Sequence, residues 1–256
     1  CETCLKARHT KRPNVYMQTR EVQELFDCVS LDHFGPIVSH HPSKYKYVLV
    51  ITDHFSGQTA FLPAEDCSAH RTAVLFHDFW CCRYSFPTKI LTDHGSAFIS
   101  QFMQTFTKLT GIKHLKCSSY YPATNAKAEL KMKHLGHALR VYLKPEVQEW
   151  SSLLPSLEFS YSVLDQTGIG LSSYEILYGR KPRLPIDAEL LARAAADNTP
   201  GFVHTFHPRF DIIRRIVREE SKENILRTQH YHDLKARPMQ IKVGDGVYKQ
   251  REGAPT

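Results

Sequence analysis

The sequence predicts a mixed α/β domain built on a central sheet of about five strands with packed helices on both faces. Three observations predict it. Three strand-like runs joined by turn chemistry come first, and strand and helix patterns then alternate. The chain also has 256 residues of which 42% are hydrophobic, enough to bury a real core. Charged residues make up 23%, which excludes a disordered or fibrous class. The 33 lysines and arginines against 26 acids give a formal charge of +7. The balance leans toward a polyanionic partner without reaching a histone-like composition.

Residues 1–20 are polar and basic, with Lys6, Arg8, Lys11, Arg12 and Arg20 against the single acid Glu2, and Pro13 interrupts any helix. They read as a tail or linker. Strands are expected at 27–34, 45–55 and 58–63, separated by Gly35-Pro36, His41-Pro42-Ser43 and Ser56-Gly57, an antiparallel meander. The pattern then changes to a helix over 68–84, a strand over 88–92, a helix over 96–110 ending at Gly111, and a strand over 112–116. Leu130, Leu135, Ala138, Leu139 and Tyr142 recur at helical spacing within 125–143, before Pro145 stops that helix, and another is expected over 147–164. Trp80 and Trp150 are expected in the core.

After Gly179-Arg180-Lys181-Pro182 an Ala-rich stretch runs to about residue 201, the expected boundary region. A helix laced with acids and bases is expected from 211 to about 235. Ile212, Ile216 and Ile225 are among its few large apolar residues, so it reads as a largely solvated connector packing one face only. Residues 242–249 carry a Gly244-Asp245-Gly246 turn and read as the start of a small β domain. No apolar run approaches the roughly 18–20 residues a membrane span needs, so a soluble chain without a membrane partner is expected. Position 1 is Cys and no basic-then-apolar leader follows, which reads as an internal or truncated piece. Seven cysteines without framework spacing suggest a reduced, intracellular protein.

Three carboxylates stand out. Asp32 lies inside the apolar first strand, where an acid is costly unless paired, solvated or metal-bound. Asp93 follows Ile90-Leu91 at the C-terminal end of a strand, where α/β sheets place their sites, although alone it reads as a helix cap or turn former. Glu129 lies in the first turns of the helix that starts near Asn125, and alone it reads as a dipole-favoured surface acid. As a set, a strand-one Asp, a strand-end Asp and a helix-start Glu can converge on one sheet edge as an oxygen-rich site for Mg²⁺ or Mn²⁺. Asp53 precedes the Ser56-Gly57 turn and reads as structural. Of the 15 histidines, only His94, beside Asp93, is expected to border the site.

The segments VSLDHFGP, VLVITDHFSG, LTDHGSAF, YYPATNAKAE and YEILYGRKPRLP, in this order over residues 20–185, resemble the integrase of gypsy-type LTR retrotransposons and retroviruses. The KVGDGVYK segment resembles the start of that family's C-terminal, SH3-like β domain. The resemblance implies a ribonuclease H-like core in which Asp32, Asp93 and Glu129 are catalytic and hold two Mg²⁺ or Mn²⁺ ions. It also implies 3′-end processing and strand transfer of element DNA into target DNA, a homo-oligomer, and action in the nucleus or elsewhere inside the cell, not secretion. It divides the chain into residues 1–19, the tail of a zinc-binding domain with a linker; 20–182, the catalytic core; 183–238, a linker with the long helix; and 239–256, the start of the β domain.

Family members carry a basic residue one turn after the helix Glu, and here Lys133 takes that place at i+4 from Glu129. Asn125 is implied as a DNA contact, although with Thr124 it also reads as a helix cap. Lys113, Lys116, Lys127, Lys131, Lys133, Arg140 and Lys144 outnumber the one acid in their stretch, Glu129, which favours a phosphate-tracking surface. Lys127, Lys133 and Arg140 are therefore DNA-contact candidates, and Lys131 reads equally as a solvated charge. Cys1 and Cys4 resemble the second half of a His-His-Cys-Cys zinc motif, so Zn²⁺ is expected only in a full-length protein. Where the family has an Asn-Gly-Gln-hydrophobic-Glu-Arg run, this chain reads Asn125-Ala126-Lys127-Ala128-Glu129-Leu130. That departure keeps a second reading open, an integrase-derived DNA-binding or interaction protein without catalysis.

Overall fold

The computed structural model describes residues 22–38, 42–93, 95–116, 126–142, 149–166, 168–184 and 202–234, with 126–130, 202–210 and 232 described by backbone alone. Residues Thr19–Asn224 form one unit; residues Cys1–Gln18 and Ile225–Thr256 form a second, of which only the closing turns of the last helix are described.

Three antiparallel strands open the first unit: β1 (Cys28–Phe34), β2 (Tyr47–Asp53) and β3 (Thr59–Ala64). The chain then crosses over through α1 (Ala69–Phe76), which runs into a π-helical turn at His77–Cys81, and returns as β4 (Lys89–Thr92). Two helices, α2 (Ser96–Ile99) and α3 (Gln101–Thr110), lead to β5 (Lys113–Lys116). The five strands lie in the order β3-β2-β1-β4-β5, with β1, β4 and β5 mutually parallel. This is the expected mixed sheet with the ribonuclease H-like order.

Strand alternation sorts the core into two layers, because successive side chains leave a strand on opposite faces. On one face Val29, Leu31, Leu49, Ile51, Leu62 and Ile90 pack with Phe76 and Trp80 from the crossover and Met103 from α3. On the other, Val48, Val50 and Phe61 meet Leu135 and Leu139 of α4 (Ala126–Tyr142), together with Trp150 and Leu154. Trp80 and Trp150 are both fully buried, as expected of core residues.

Several elements differ from their sequence expectation. The single helix expected over 96–110 is two, because Ser100 adopts an extended conformation and its side chain accepts from the Met103 N–H at 3.2 Å, capping α3. The helix does end at Gly111, whose φ of 72° is the left-handed cap that glycine adopts without strain. The helix expected over 147–164 splits into a 3-10 turn at Trp150–Leu153, capped by Glu149, and α5 (Leu154–Val163) with Pro155 in its first turn. A short helix that periodicity does not reveal, α6 (Ser173–Tyr178), is fixed by a capping box. Ser172 accepts from the Glu175 N–H, and Glu175 accepts from the Ser172 N–H and hydroxyl.

The last helix, α7 (Phe202–Asp233), starts nine residues before the expected 211. Nor is its upstream half a solvated connector. Ile213 and Val217, one turn apart, are buried against Phe55 and Ile176, while Ile212 is about half exposed. The expectation of one packed face holds, but on a different stripe. The small β domain expected at 239–256 and the tail at 1–19 lie outside the described residues. Among the described residues no helix is long and apolar enough to cross a membrane.

A buried acid and a half-buried one tie elements together. Asp53, with no exposed surface, accepts from the Phe26 N–H at 3.1 Å, the Ser56 N–H at 2.8 Å and the Ser56 hydroxyl at 2.6 Å. Burial pushes its pKa up against those bonds. It closes the β2–β3 turn, the structural role read from the sequence. Glu158 of α5 accepts from the Phe61 N–H at 3.1 Å and so satisfies the outer edge of β3. Burial pushes its pKa up, with the Phe61 hydrogen bond and the Arg83 charge opposing.

Because the folded pKa of Glu158 is raised, its favourable contribution is fully present below the unfolded value of about 4.3 and is lost as pH rises through the folded value. Glu158→Gln keeps an acceptor for Phe61 and removes the partly desolvated charge. The variant is expected to melt at a higher temperature than the parent at pH 7–8 and to show no advantage at pH 4 and below. Thermal unfolding of the pair across that range checks the sign.

Candidate functional site

The parallel pairing of β1 with β4 sets Leu31 opposite Thr92. One step further along each chain lie Asp32 and Asp93. Two acids far apart in sequence therefore reach the same level, Asp32 two residues before the end of β1 and Asp93 just past β4, on neighbouring strands whose axes are about 4.8 Å apart. Open α/β sheets use such strand ends for ligands. Asp32 Oδ1 accepts from the His33 N–H at 2.8 Å. Asp93 is exposed, and its Oδ1 accepts from the Gly95 N–H at 2.8 Å in a turn that leads into α2.

His33 borders this pair and was not singled out from the sequence, although it stands next to Asp32. Its ring stacks on Phe98 at 5.0 Å between centroids, and its Nε2 lies 3.0 Å from the Thr72 hydroxyl. Burial pushes its pKa down, while the charges of Asp93 and Asp66 pull the other way. On the far side, His114 Nε2 lies 2.8 Å from the Thr92 hydroxyl, and its pKa is lowered by burial and then by Lys116. His94 lies outside the described residues.

The third acid, Glu129, sits on α4, and its side chain lies outside the described residues. The seating of α4 is nevertheless clear. Leu135 and Leu139 are buried against the β2 face, and a Cβ at Gly136 would stand 3.1 Å from the Phe34 ring. The missing side chain lets the helix backbone approach β1 two residues past Asp32. Residue 129 precedes Gly136 by two turns, about 10 Å along the axis and on the same stripe. Lys133, His137 and Arg140 continue that stripe and are all exposed. Lys131, by contrast, lies with its ammonium 5.4 Å from the Tyr161 ring centroid.

Lys113 and Lys116 are exposed on β5, the strand beside β4. The side chain of Lys127 lies outside the described residues, as do Asn125, Lys144, Cys1 and Cys4 altogether. The structure thus brings Asp32 and Asp93 to one edge and puts Lys133 and Arg140 on one exposed helix face.

Paired carboxylates are hard oxygen donors, the type that Mg²⁺ and Mn²⁺ take, so the donor chemistry fits a divalent cation. Among the described residues, no group of three or more His, Cys, Asp or Glu side chains is arranged to hold a metal ion.

Residues 27–122 match the family model described as "Integrase core domain". The Gag-Pol polyprotein of baboon endogenous virus (strain M7) is 32% identical over 148 residues, covering 57% of this chain and 8% of that polyprotein. The Pol polyprotein of radiation murine leukemia virus (strain Kaplan) is 28% identical over 209 residues, covering 81% of this chain and 35% of the relative. The chain thus spans roughly a third or less of these curated relatives. Among solved structures, one described as a simian T-cell lymphotropic virus intasome in complex with PP2A regulatory subunit B56 gamma superimposes with a TM-score of 0.55. It is 21% identical and covers 72% of this chain and 65% of that one, a likeness of fold. Over residues 27–122 the chain thus matches an integrase core domain, and the relatives it resembles are retroviral Pol polyproteins.

Proposed function

We propose that the chain is part of a retroelement integrase of the gypsy type. It trims the 3′ ends of element DNA and joins them to target DNA, with Asp32, Asp93 and Glu129 as its catalytic, metal-holding carboxylates. The observation that carries this reading is the shared level of Asp32 and Asp93 on two parallel strands, with α4 seated against β1 at Gly136. Divalent cations bound there would supply activation of the attacking oxygen and stabilisation of the leaving oxygen in a phosphodiester displacement. The chain's own part is to fix the carboxylates on rigid strand ends and to hold the DNA. The exposed Lys133 and Arg140 face the phosphate backbone, with Lys127 and Asn125 nearer the helix start. Contacts of this kind give sequence-independent, salt-sensitive affinity.

The proposed organisation is a catalytic core over 20–182, preceded by the tail of a zinc-binding domain at 1–19, in which Cys1 and Cys4 supply half of a Zn²⁺ site completed in a longer protein. A linker at 183–238 and a β domain from 239 follow. The working form is a homo-oligomer acting in the nucleus. A second reading, an integrase-derived DNA-binding protein without catalysis, is favoured by Ala126 and Leu130, which depart from the family's run around the helix acid.

Asp32→Asn, Asp93→Asn and Glu129→Gln are each expected to reduce Mg²⁺- or Mn²⁺-dependent joining of element-end DNA to background while leaving the circular dichroism and melting temperature near those of the parent. If a longer parent protein carrying its N-terminal zinc domain joins no ends with either metal, the second reading replaces the first. Lys133→Ala with Arg140→Ala is expected to lower the slope of log affinity against log salt by about two, one for each lost phosphate contact. Filter binding or fluorescence anisotropy across salt concentrations measures it, and an unchanged slope removes these residues from the DNA surface.

A further inference from the structure

A cavity of about 400 Å³ opens at the outer edge of β3, between the π-helical turn, α5 and α6. Its size falls within the range of small-ligand sites, roughly 300–1,000 Å³. Phe79, Tyr84, Phe159, Tyr174 and Tyr178 line it, and the last two rings stand 4.5 Å apart between centroids.

Two acceptors lie among these rings. Gln58 is only 5% exposed; its Nε2 donates to the Tyr84 hydroxyl at 3.4 Å, and its Oε1 is buried without a hydrogen-bond partner. A buried orphan acceptor carries a desolvation cost, so it marks a place where a donor is missing. Glu158 gives one carboxylate oxygen to the Phe61 N–H. Among the described residues no basic side chain comes within ion-pair distance of it. Arg83, the one base lining the cavity among the described residues, rests its guanidinium on the Phe79 ring at 4.9 Å and is exposed. Burial outweighs the Arg83 charge in its effect on the Glu158 carboxyl, whose pKa is raised.

A missing donor, a half-buried acid without an ion pair and flat aromatic walls specify one kind of occupant. We propose that this cavity binds a guanidinium or alkylammonium group of the arginine or lysine type, which donates to Gln58 Oε1 and Glu158 and stacks against the tyrosines. Cations over aromatic faces gain further attraction when desolvated, and a planar guanidinium satisfies two acceptors at once. The site is separate from the strand-end carboxylates, so it stands whether or not the chain joins DNA.

The test titrates the full chain with N-acetyl-arginine methylamide and with its citrulline counterpart, which has the same shape and no charge, following binding by calorimetry and by the tyrosine ring resonances. The arginine compound is expected to bind about tenfold or more tighter than the citrulline one, and Glu158→Gln, which still accepts from Phe61, is expected to lose that margin. A Gly-Ser peptide carrying one arginine forms the second arm. Tighter binding of the peptide identifies a partner's side chain as the source, equal binding identifies a free small cation, and both uphold the site. Equal affinity for the arginine and citrulline compounds in the parent, an unchanged margin in Glu158→Gln, or no saturable binding of either compound overturns it.

Discussion

The parallel pairing of β1 with β4 is the constraint on which the rest depends. It joins Cys28–Leu31 to Lys89–Thr92, segments separated in sequence by two further strands and a helix. Parallel neighbours need a crossover connection, so β2, β3 and α1 fill the interval. Register matters as much as pairing. A slip of one residue would turn Val29 and Leu31 out of the layer they share with Ile90 and would break the shared level of Asp32 and Asp93. Burial of the aliphatic residues therefore fixes the position of the acids that follow them. In this structure core packing and site geometry are one requirement.

The two-layer core extends the same logic outward. In β2, Leu49 and Ile51 face the crossover helix while Val48 and Val50 face α4, so one strand of seven residues holds helices on both sides. Polar groups join the layers where apolar packing ends. Asp53 gathers three donors at the β2–β3 turn, and Glu158 occupies a donor on the edge of β3. Each of these acids is partly or wholly withdrawn from water at a cost, and each holds a backbone group that would otherwise be left unsatisfied.

The surface is divided in a similar way. The acids lie at the C-terminal side of the inner strands β1 and β4, and the edge strand β3 carries an aromatic cavity with an acid among its lining residues. Gly136 contributes by absence, since a side chain there would meet Phe34 and lift the helix that carries Glu129, Lys133 and Arg140. In the sheet order β2 stands between β3 and the strand pair that carries the acids, which lets the β3 cavity carry chemistry unrelated to those carboxylates.

Local chemistry determined much of this in advance. Five strands, the left-handed stop at Gly111, the structural part of Asp53 and the burial of both tryptophans all follow from alternation, turn residues and size, which act over a few residues. The break at Ser100 was hidden because a serine cap competes with an otherwise continuous helical pattern, and α6 because six residues are too few to show a period. Tertiary structure alone decided that Ile213 and Val217, rather than Ile212, bury α7 against Phe55, and that Gln58 and Glu158 line one cavity. It alone brought Asp32 level with Asp93. Such meetings join residues far apart along the chain, and only the closing of the sheet and the packing of its faces bring them together.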